Sequence, residues 1–465
     1  YSMSTRFLRP LDALLAAHPT AQRLVVGYSG GVDSHVLLHV LAAHRDRWPE
    51  RALAAMYVDH GLQAASASWG EHCARICRDL EVPFRVVRIH AHPASGESPE
   101  AAARRARYAA FAAELGPDAA LLSAHHRDDQ AETLLLQLLR GAGPHGLAAM
   151  PAGSRLGRGW LLRPLLDLDR ADLLVYAQAH ELRWIEDASN ADAGFDRNYL
   201  RHHVLPLLRE RWPAMNRTLA RSARWCAETA DGLDAEAAAD LARVGTHRPD
   251  SLPIPALREL GEQRQRNLLR YWLRQLALPT PDHRQLEHIV RDGLTARRDR
   301  QPCIHWPGGE VRRYRDALYA MPPLTPHDAR QHWVWRPCAN RYPPLELPGI
   351  GTLVFQEGVG VGVRAAALAD AALTVRFRQG GERFRPVGRR HGQELKKLWQ
   401  EAGIPPWERE RLPLIYRDRA LLAVVGLGVV ADHAAAPGEP GWQPQLTGWI
   451  ETAQPTVSSR NPAQT

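Results

Sequence analysis

Ser29-Gly30-Gly31-Val32-Asp33-Ser34 is the most informative stretch of this chain. The apolar run before it, Leu24 to Tyr28, predicts a buried strand, and the segment from Ser34 to Ala43 has helical periodicity. The glycines of the stretch from Ser29 to Ser34 permit close backbone approach to a ligand, and its serines add hydroxyl donors. The N-terminus of the helix that follows is electropositive. The stretch therefore predicts a loop that binds an anionic group; the structural alternative is a Gly-rich turn capped by serine.

Apolar runs and helical segments alternate along the first 140 residues. Short apolar runs that predict buried strands follow at Leu53 to Val58, Phe84 to Ile89 and Ala119 to Ala124. Segments with helical periodicity lie between and after them, at Ala67 to Leu80, Pro99 to Leu115 and Asp128 to Leu139. This alternation predicts an α/β fold with a parallel sheet covered by helices. Because ligands bind beyond the carboxyl ends of such strands, Asp59, His60 and the residues from His125 to Asp129 are candidates for a site.

The cluster His125-His126-Arg127-Asp128-Asp129-Gln130-Ala131-Glu132-Thr133 follows the fourth apolar run. On a helix that begins near Asp128, the carboxylates of Asp128, Asp129 and Glu132 share one neighbourhood. Such a group favours a cation, either Mg²⁺ or a substrate ammonium. Two other interpretations stay open, acidic residues that offset the helix dipole and a di-metal hydrolase site.

Asp33 indicates that the anion-binding loop also needs a cation. The loop is not a Walker A motif, because the G-x-x-x-x-G-K-[ST] pattern and its lysine are absent. A carboxylate beside phosphates repels them unless a cation lies between, and Mg²⁺ is the natural bridge. We therefore expect Asp33 to act through Mg²⁺.

The stretch from Ser29 to Ser34 resembles the PP-loop signature S-G-G-x-D-S of ATP pyrophosphatases, which cleave ATP between the α- and β-phosphates. The cluster at 125–133 is similar to a motif of the tRNA(Ile)-lysidine synthetase family. Other segments resemble motifs of the same family: Ala103 to Tyr108, Arg140 to Met150 with Ala149 where the family usually has glycine, Glu186 to Asp192, Phe195 to Arg201, Gly381 to Arg383, Leu395 to Leu398 and Gly403 to Arg409.

This resemblance implies an ATP-dependent ligation. In the family, ATP adenylates the 2-carbonyl oxygen of the wobble cytidine in an isoleucine tRNA with anticodon CAU. Free L-lysine then displaces AMP through its ε-amine, and the lysidine formed changes codon reading from AUG to AUA. The implied partners are this tRNA and lysine, the implied cofactors are ATP and Mg²⁺, and a homodimer stays open.

The resemblance also assigns roles to residues. The ATP-binding set is Ser29, Gly30, Gly31, Val32, Asp33 and Ser34, and the catalytic set is Asp33, Arg104, Arg107, His125, Asp129 and Glu132. Within the catalytic set, the carboxylates of Asp129 and Glu132 are expected to bind the ammonium groups of lysine. Arg104 and Arg107 are expected to stabilise phosphate charge, and His125 to transfer a proton. The region from Asn190 to Arg201 has two open interpretations, an active-site role and a structural role.

The expected fold class is α/β with three domains. Residues 1–214 are the predicted PP-loop ATP-binding catalytic domain, 215–320 a helical tRNA-binding domain, 321–348 a Pro-rich linker, 349–450 a small basic α+β tRNA-binding domain and 451–465 a tail. Helices are predicted at Asp169 to His180, Arg197 to Arg211 and Glu394 to Ala402. A hairpin of Cys303 to Trp306 with Val311 to Tyr319 is predicted to end the helical domain.

Basic charge is concentrated near the C-terminus of the chain. The net charge is +8, and the segment from Arg376 to Lys397 holds eight basic and two acidic residues. We expect this segment to bind the tRNA backbone through Arg383, Arg389, Lys396 and Lys397. Trp399 and Trp407 are candidates for flat surfaces that stack on an unpaired base.

Composition narrows the class of protein. Apolar residues make up 45% and charged residues 24% of the 465 positions, as in a soluble globular protein, and neither a membrane span nor a signal peptide is expected. Five cysteines without a C-x-x-C pair indicate a reducing, cytoplasmic compartment. Two rival functions are a PP-loop tRNA thiolase, which needs cysteines to carry sulfur, and a non-catalytic RNA-binding protein with a degenerate nucleotide site.

Overall fold

The computed structural model describes residues 3–59, 66–89, 99–186, 194–246, 248–297, 300–338, 341–369 and 371–448. Two compact units divide the chain, Tyr1–Gly232 and Leu233–Thr465. The fold class is α/β, with a parallel sheet in the first unit and antiparallel sheets in the second, so the predicted class is confirmed.

The first unit is built on one sheet. Its described strands are β1 Arg23–Gly27, β2 Ala52–Asp59, β3 Phe84–Arg88, β4 Ala119–Leu122, β5 Gly153–Leu156 and β6 Gly159–Leu162. They lie in the order β3-β2-β1-β4-β6-β5, and all neighbours are parallel except the β5–β6 hairpin. The four predicted strands are confirmed. The hairpin was not predicted, because its strands are four residues long and its first strand has no buried residue.

Helices cover both faces of this sheet. They are α1 Met3–Ala16, α2 Val32–Ala43, α3 Ser66–Asp79, α4 Pro99–Glu114, α5 Arg127–Leu139, α6 Pro144–Leu147, α7 Arg170–Ala179, α8 Asp196–Tyr199, α9 Leu205–Arg211 and α10 Met215–Val244, which runs on into the second unit. On one face, Phe7, Leu11 and Leu37 belong to the large core, and on the other Phe111 packs with Leu121.

The predicted helix from Arg197 to Arg211 is interrupted. A wider π-helical turn, Leu200–Val204, lies between α8 and α9. Such turns insert an extra residue into a helix and are frequent at functional sites. Sequence periodicity does not reveal the turn, since it continues the helical path on both sides.

The strand order places the loop after β1 beside the loop after β4. From β1 the chain goes to the neighbour β2 on one side, and β4 lies on the other side of β1. The loops after β1 and after β4 therefore open at the same sheet edge, at the point where the strand order reverses. Ligands of open parallel sheets bind at such a point.

The second unit begins with helices and a small antiparallel sheet. These elements are β7 Ser251–Pro253, α11 Ile254–Arg258, α12 Glu262–Gln275, α13 His283–His288, β8 Cys303–Trp306, β9 Gly309–Tyr314 and β10 Ala317–Met321, with sheet order β7-β10-β9-β8. The stretch predicted as one strand, Val311 to Tyr319, forms parts of two. A turn at Arg315, which has φ 54°, separates them.

The remaining strands build two further sheets and a short hairpin. Their elements are β11 His332–Trp335, β12 Leu345–Leu347, β13 Gly351–Val359, β14 Val363–Arg364, α14 Ala365–Leu368, β15 Leu373–Arg376, β16 Arg383–Phe384, β17 Gln393–Glu394, α15 Leu395–Glu401, α16 Pro406–Arg409, β18 Leu414–Arg417, β19 Ala420–Val424, β20 Gly428–Val429 and β21 Pro440–Thr447. The sheet orders are β11-β15-β18-β19-β20 and β12-β13-β21-β14, and β16 pairs with β17.

Two features of this region differ from the expectations. The Pro-rich segment 321–348 holds β11 and β12, which pair with β15 and β13, so two short parts of it belong to sheets rather than to a free linker. Trp399 and Trp407 are 0% and 7% exposed, and the expectation that they stack on RNA bases is wrong. Their large apolar surfaces fill the core instead.

Candidate active site

The loop after β1 has the geometry of an anion cradle. Gly30 has φ +83°, and a side chain there would bring its Cβ within 2.8 Å of Ile185 Cδ1. The Ser29 N–H donates to Ser34 Oγ at 3.2 Å, and Ser34 Oγ donates to the Gly31 carbonyl at 3.1 Å. Among the described residues, no side chain caps the N-terminus of α2, so its first N–H groups are open to an anion.

His126 connects this loop to the cluster after β4. Its Nε2 lies 3.6 Å from Asp33 Oδ2 and 3.3 Å from Asp129 Oδ2, and its ring is buried. Burial opposes a charge on the imidazole, but the two carboxylates outweigh burial and raise the pKa of His126. Burial likewise opposes the charge of Asp129, while His126 and its other neighbours hold the pKa of that carboxyl below its usual value.

Arg201, on the π-helical turn, binds both carboxylates of the cluster. Its Nε lies 2.6 Å from Glu132 Oε1, and its Nη2 lies 2.8 Å from Glu132 Oε2 and 3.2 Å from Asp129 Oδ1. Glu132 is 1% exposed and lies behind the guanidinium, whereas Asp129 and Arg201 line the cleft. The buried negative charge of Glu132 is thereby paired, as burial requires.

The remaining predicted catalytic residues are Arg104 and Arg107 on α4 and His125, which follows β4 and lines the cleft. Arg104 and Arg107 both stand over the Tyr108 ring, with Cζ 5.2 and 5.9 Å from its centre, and of the two Arg107 lines the cleft. His125 Nδ1 contacts the hydroxyl of Ser123. Burial lowers the pKa of His125 to about 3, so its imidazole is neutral at pH 7.

Three other residues singled out from the sequence, Asp128, Asp59 and Arg197, contact side chains of neighbouring elements. Asp128 accepts a hydrogen bond from Asn216, and Asp59 lies 4.0 Å from Arg88 Nε. The Arg197 guanidinium donates to Thr133 Oγ1 at 3.0 Å, which ties α8 to α5. His60 and residues 187–193, which include most of the predicted Glu186 to Asp192 motif, lie outside the described residues.

These groups surround a cleft of about 850 Å³. Apolar side chains such as Met56, Val58 and Phe111 form one wall, and polar groups converge on the other. Arg170 reaches within 3.9 Å of Asp33 Oδ1 through its Nε. None of the five cysteines lines the cleft, and burial raises the pKa of Cys73 and Cys77 to about 12, which disfavours the thiolate that sulfur transfer needs.

Three residues of the site go beyond the sequence-based predictions. His126 belongs to the cluster at 125–133 but has no role assigned from the sequence, Arg201 has two open interpretations there, and Arg170 falls only within a predicted helix. The pair of adjacent histidines before an acidic helix start was an available signal for His126. Nothing local in the sequence signals Arg170, because only the packing of α7 against α2 brings it to the loop.

The four cations proposed for tRNA lie on the β16–β17 hairpin and α15. Arg389 pairs with Glu401 at 2.8 Å, and Arg383 donates to the Gly392 carbonyl at 2.8 Å. Lys396 and Lys397 are exposed on α15. In the described part of the chain, no helix combines the length and apolarity needed to cross a membrane.

Family models match three regions of the chain. Residues 3–208 match a PP-loop domain, residues 252–319 a TilS substrate binding domain and residues 373–446 a TilS substrate C-terminal domain. The first match covers the sheet and cleft of the first unit. The other two fall in the second unit, on the β7–β10 region and on the C-terminal sheets.

Curated relatives resemble the chain along most of its length. The tRNA(Ile)-lysidine synthase of Coxiella burnetii is 44% identical over 422 residues, which are 90% of this chain and 92% of the relative. That of Alkalilimnicola ehrlichii is 43% identical over 429 residues, 91% of this chain and 94% of the relative. That of Methylococcus capsulatus is 42% identical, covering 92% of this chain and 97% of the relative.

Proposed function

The chain belongs to the tRNA(Ile)-lysidine synthase family, and from this we propose that it joins free L-lysine to the wobble cytidine of an isoleucine tRNA at the expense of ATP. The anticodon of that tRNA is CAU, and the lysidine formed changes codon reading from AUG to AUA. One observation carries the proposal: the anion cradle after β1 and the His126, Asp129 and Arg201 group face each other in one cleft.

The reaction has two steps with different electrophiles. In the first, O2 of the cytidine attacks the α-phosphorus of ATP, and pyrophosphate leaves. In the second, the ε-amine of lysine attacks C2 of the adenylated base, AMP leaves with the oxygen, and the new nitrogen loses a proton. Adenylation replaces a poor leaving oxygen with AMP, which makes the second step feasible.

The loop from Ser29 to Ser34 is our proposed phosphate site. The uncapped N-terminus of α2 supports this role, because open N–H groups and the helix dipole favour an anion. The apolar wall with Met56 and Phe111 suits the adenine ring. ATP use also agrees with the PP-loop domain matched at residues 3–208.

Asp33 fits a Mg²⁺ ion that accompanies ATP. Its Oδ1 is buried and has no hydrogen-bond partner among the described residues. Mg²⁺ needs only one or two protein carboxylates when phosphates supply further oxygens. Asp33 would hold the ion, which would supply positive charge beside the phosphates.

Asp129 and Glu132 are the proposed lysine-binding carboxylates, and their contacts indicate a direct role for Asp129 and an indirect role for Glu132. Asp129 faces the cleft and can meet an ammonium group directly. Both carboxylate oxygens of Glu132 accept hydrogen bonds from Arg201, so Glu132 acts indirectly by holding that guanidinium in position. Arg104 and Arg107 are proposed to stabilise phosphate charge. His125 is proposed to take part in proton transfer; its lowered pKa keeps the imidazole neutral at pH 7 but also makes it a weak base.

Label transfer tests the function. The protein is incubated with ATP, Mg²⁺, radiolabelled lysine and an isoleucine tRNA transcript with anticodon CAU, and a transcript with UAU is the control. We expect label in lysidine at the first anticodon position of the CAU transcript alone, with stoichiometric AMP. Asp33→Asn should abolish AMP formation while tRNA binding persists. Absence of label, or sulfur incorporation from a donor, would overturn the proposal.

A further inference from the structure

We propose that an exposed face of α10 binds the single-stranded nucleotides that flank the reactive cytidine, with one base stacked on Trp225. This face, called the α10 face below, consists of Arg217, Arg221, Arg224 and Trp225. The inference rests on the proposed function, since that function supplies an RNA loop as substrate. It adds an RNA-binding surface in the first unit, outside the basic segment of the second.

Helical spacing puts these four side chains on one side of α10. Arg217, Arg221 and Arg224 are four and three residues apart, and Trp225 follows Arg221 by four. All four side chains are exposed, and the Trp225 ring is 57% exposed. The Arg221 guanidinium stands over this ring, with Cζ 5.6 Å from its centre. The result is a flat apolar surface with arginines on its N-terminal side, while the exposed Glu228 follows Trp225 by three residues on the C-terminal side.

Ion pairs connect the α10 face to the rim of the cleft. Arg224 lies 3.3 Å from Asp167, and Arg217 lies 3.4 Å from Asp169. The next residue, Arg170, lines the cleft and approaches Asp33. From Asn216, which contacts Asp128 of the acidic cluster, Trp225 is about 13 Å along the helix axis. A few nucleotides of extended RNA cover that distance.

The chemistry of the face fits single-stranded RNA. A base can reach the cleft only when it is unstacked from its neighbours, which leaves those neighbours without stacking partners. Aromatic rings and arginine planes are the groups that bind such bases. The Arg224–Asp167 pair is exposed on both sides and holds its arginine weakly, so a backbone phosphate can replace that carboxylate. Arg217 is exposed as well, although its partner Asp169 is half-buried and also pairs with Arg127.

The first unit offers a matched control. Trp212 is also 57% exposed and also has a guanidinium over its ring, that of Arg211 at 5.7 Å. Trp212 precedes α10, and among the described contacts its neighbour Arg211 makes no ion pair with Asp167 or Asp169. Trp225→Ala and Trp212→Ala therefore remove the same chemical group from two places.

The experiment measures anticodon stem-loop binding by fluorescence anisotropy and lysidine formation in parallel. We expect Trp225→Ala to weaken stem-loop binding and raise the KM for tRNA about tenfold, because loss of one stacked base has that order of effect. The KM values for ATP and lysine should not change. Trp225→Phe should restore most of the affinity, and Trp212→Ala should match wild type.

Crosslinking locates the contact independently of activity. With 4-thiouridine at the third anticodon position, we expect the crosslinked peptide to contain Trp225. Equal affinity of Trp225→Ala and Trp212→Ala, or failure of Trp225→Phe to restore binding, would overturn the inference. If wild type binds the stem-loop through Trp225 yet forms no lysidine, the proposed function fails while the RNA surface stands.

Discussion

At the scale of single residues, the loop before Met150 shows how a small change in sequence is accommodated. Ala149 stands where the family usually has glycine, and its φ is 54°, in the left-handed region. The next residue is tied to α5, because the Gln130 amide donates to the Met150 carbonyl at 2.8 Å and accepts from the Met150 N–H at 2.9 Å. These two bonds hold the alanine in a backbone conformation that costs about 1 kcal/mol.

Glycine at this position should therefore stabilise the protein. Ala149→Gly should raise the free energy of unfolding by a few tenths to about 1 kcal/mol, because strain is relieved while unfolded-state entropy grows. Ala148→Gly is the control, since Ala148 has φ −61° and glycine there should destabilise. Urea unfolding measures both. The same sign of change in the two variants would contradict the account.

The proposed lysine site yields a second prediction at the scale of single residues. Asp129→Asn should raise the KM for lysine about tenfold to a hundredfold, because a charge-assisted contact contributes about 1.5 to 3 kcal/mol. Adenylated tRNA should then accumulate, since the first step does not need lysine. Glu132→Gln should act in the same direction by releasing Arg201. Loss of adenylation at unchanged lysine dependence would instead assign these carboxylates to the metal.

At the scale of elements, the basic segment is a surface hairpin followed by a helix. β16 and β17 form the hairpin, and α15 presents Lys396 and Lys397 to solvent while Leu395 and Leu398 enter the core. Trp399 lies on the buried side of α15 and anchors it. The helix thus carries its charge on one face and its packing on the other, which lets charged residues be changed without loss of the core.

Replacement of Arg383, Arg389, Lys396 and Lys397 by alanine should weaken tRNA binding without changing ATP affinity. Each phosphate contact contributes about 0.7 to 0.9 to the slope of log affinity against log salt, so the slope should flatten by about three units. A salt titration of both proteins side by side measures this. Parallel lines would show that these cations do not contact the backbone.

At the scale of the whole molecule, a buried ion cluster joins the two matched regions of the second unit. Arg248 binds Asp250 at 2.6 Å and Glu408 at 2.8 Å, and its Cζ stands 5.4 Å from the Tyr319 ring centre. Burial opposes the charge of Glu408 and raises its pKa, although Arg248 works against that shift. Trp407 packs edge-on against Tyr319 beside this cluster. The C-terminal sheets are thereby fixed to the β7–β10 sheet.

Arg248→Ala should destabilise the second unit by about 3 to 5 kcal/mol, because it leaves two buried carboxylates without a cation. The triple variant Arg248→Met, Asp250→Asn, Glu408→Gln should recover much of this loss, since it removes the charges together. Arg291→Ala, which breaks a solvent-exposed pair with Asp292, is the control and should change little. Urea unfolding measures all three. Equal losses for Arg248→Ala and the triple variant would contradict an electrostatic cause.

Three local features can be predicted from the order of residues alone: the strand–helix alternation, the glycine loop after β1 and the acidic helix start after β4. These follow from periodicity and residue type within short windows, so tertiary contacts were not needed to predict them. Long-range packing sets three other features: Arg201 pairs with Glu132, Arg170 reaches Asp33, and Trp399 and Trp407 are buried. Each of these depends on which elements pack together, and partners 69 or 137 residues apart leave no periodic signal in the chain.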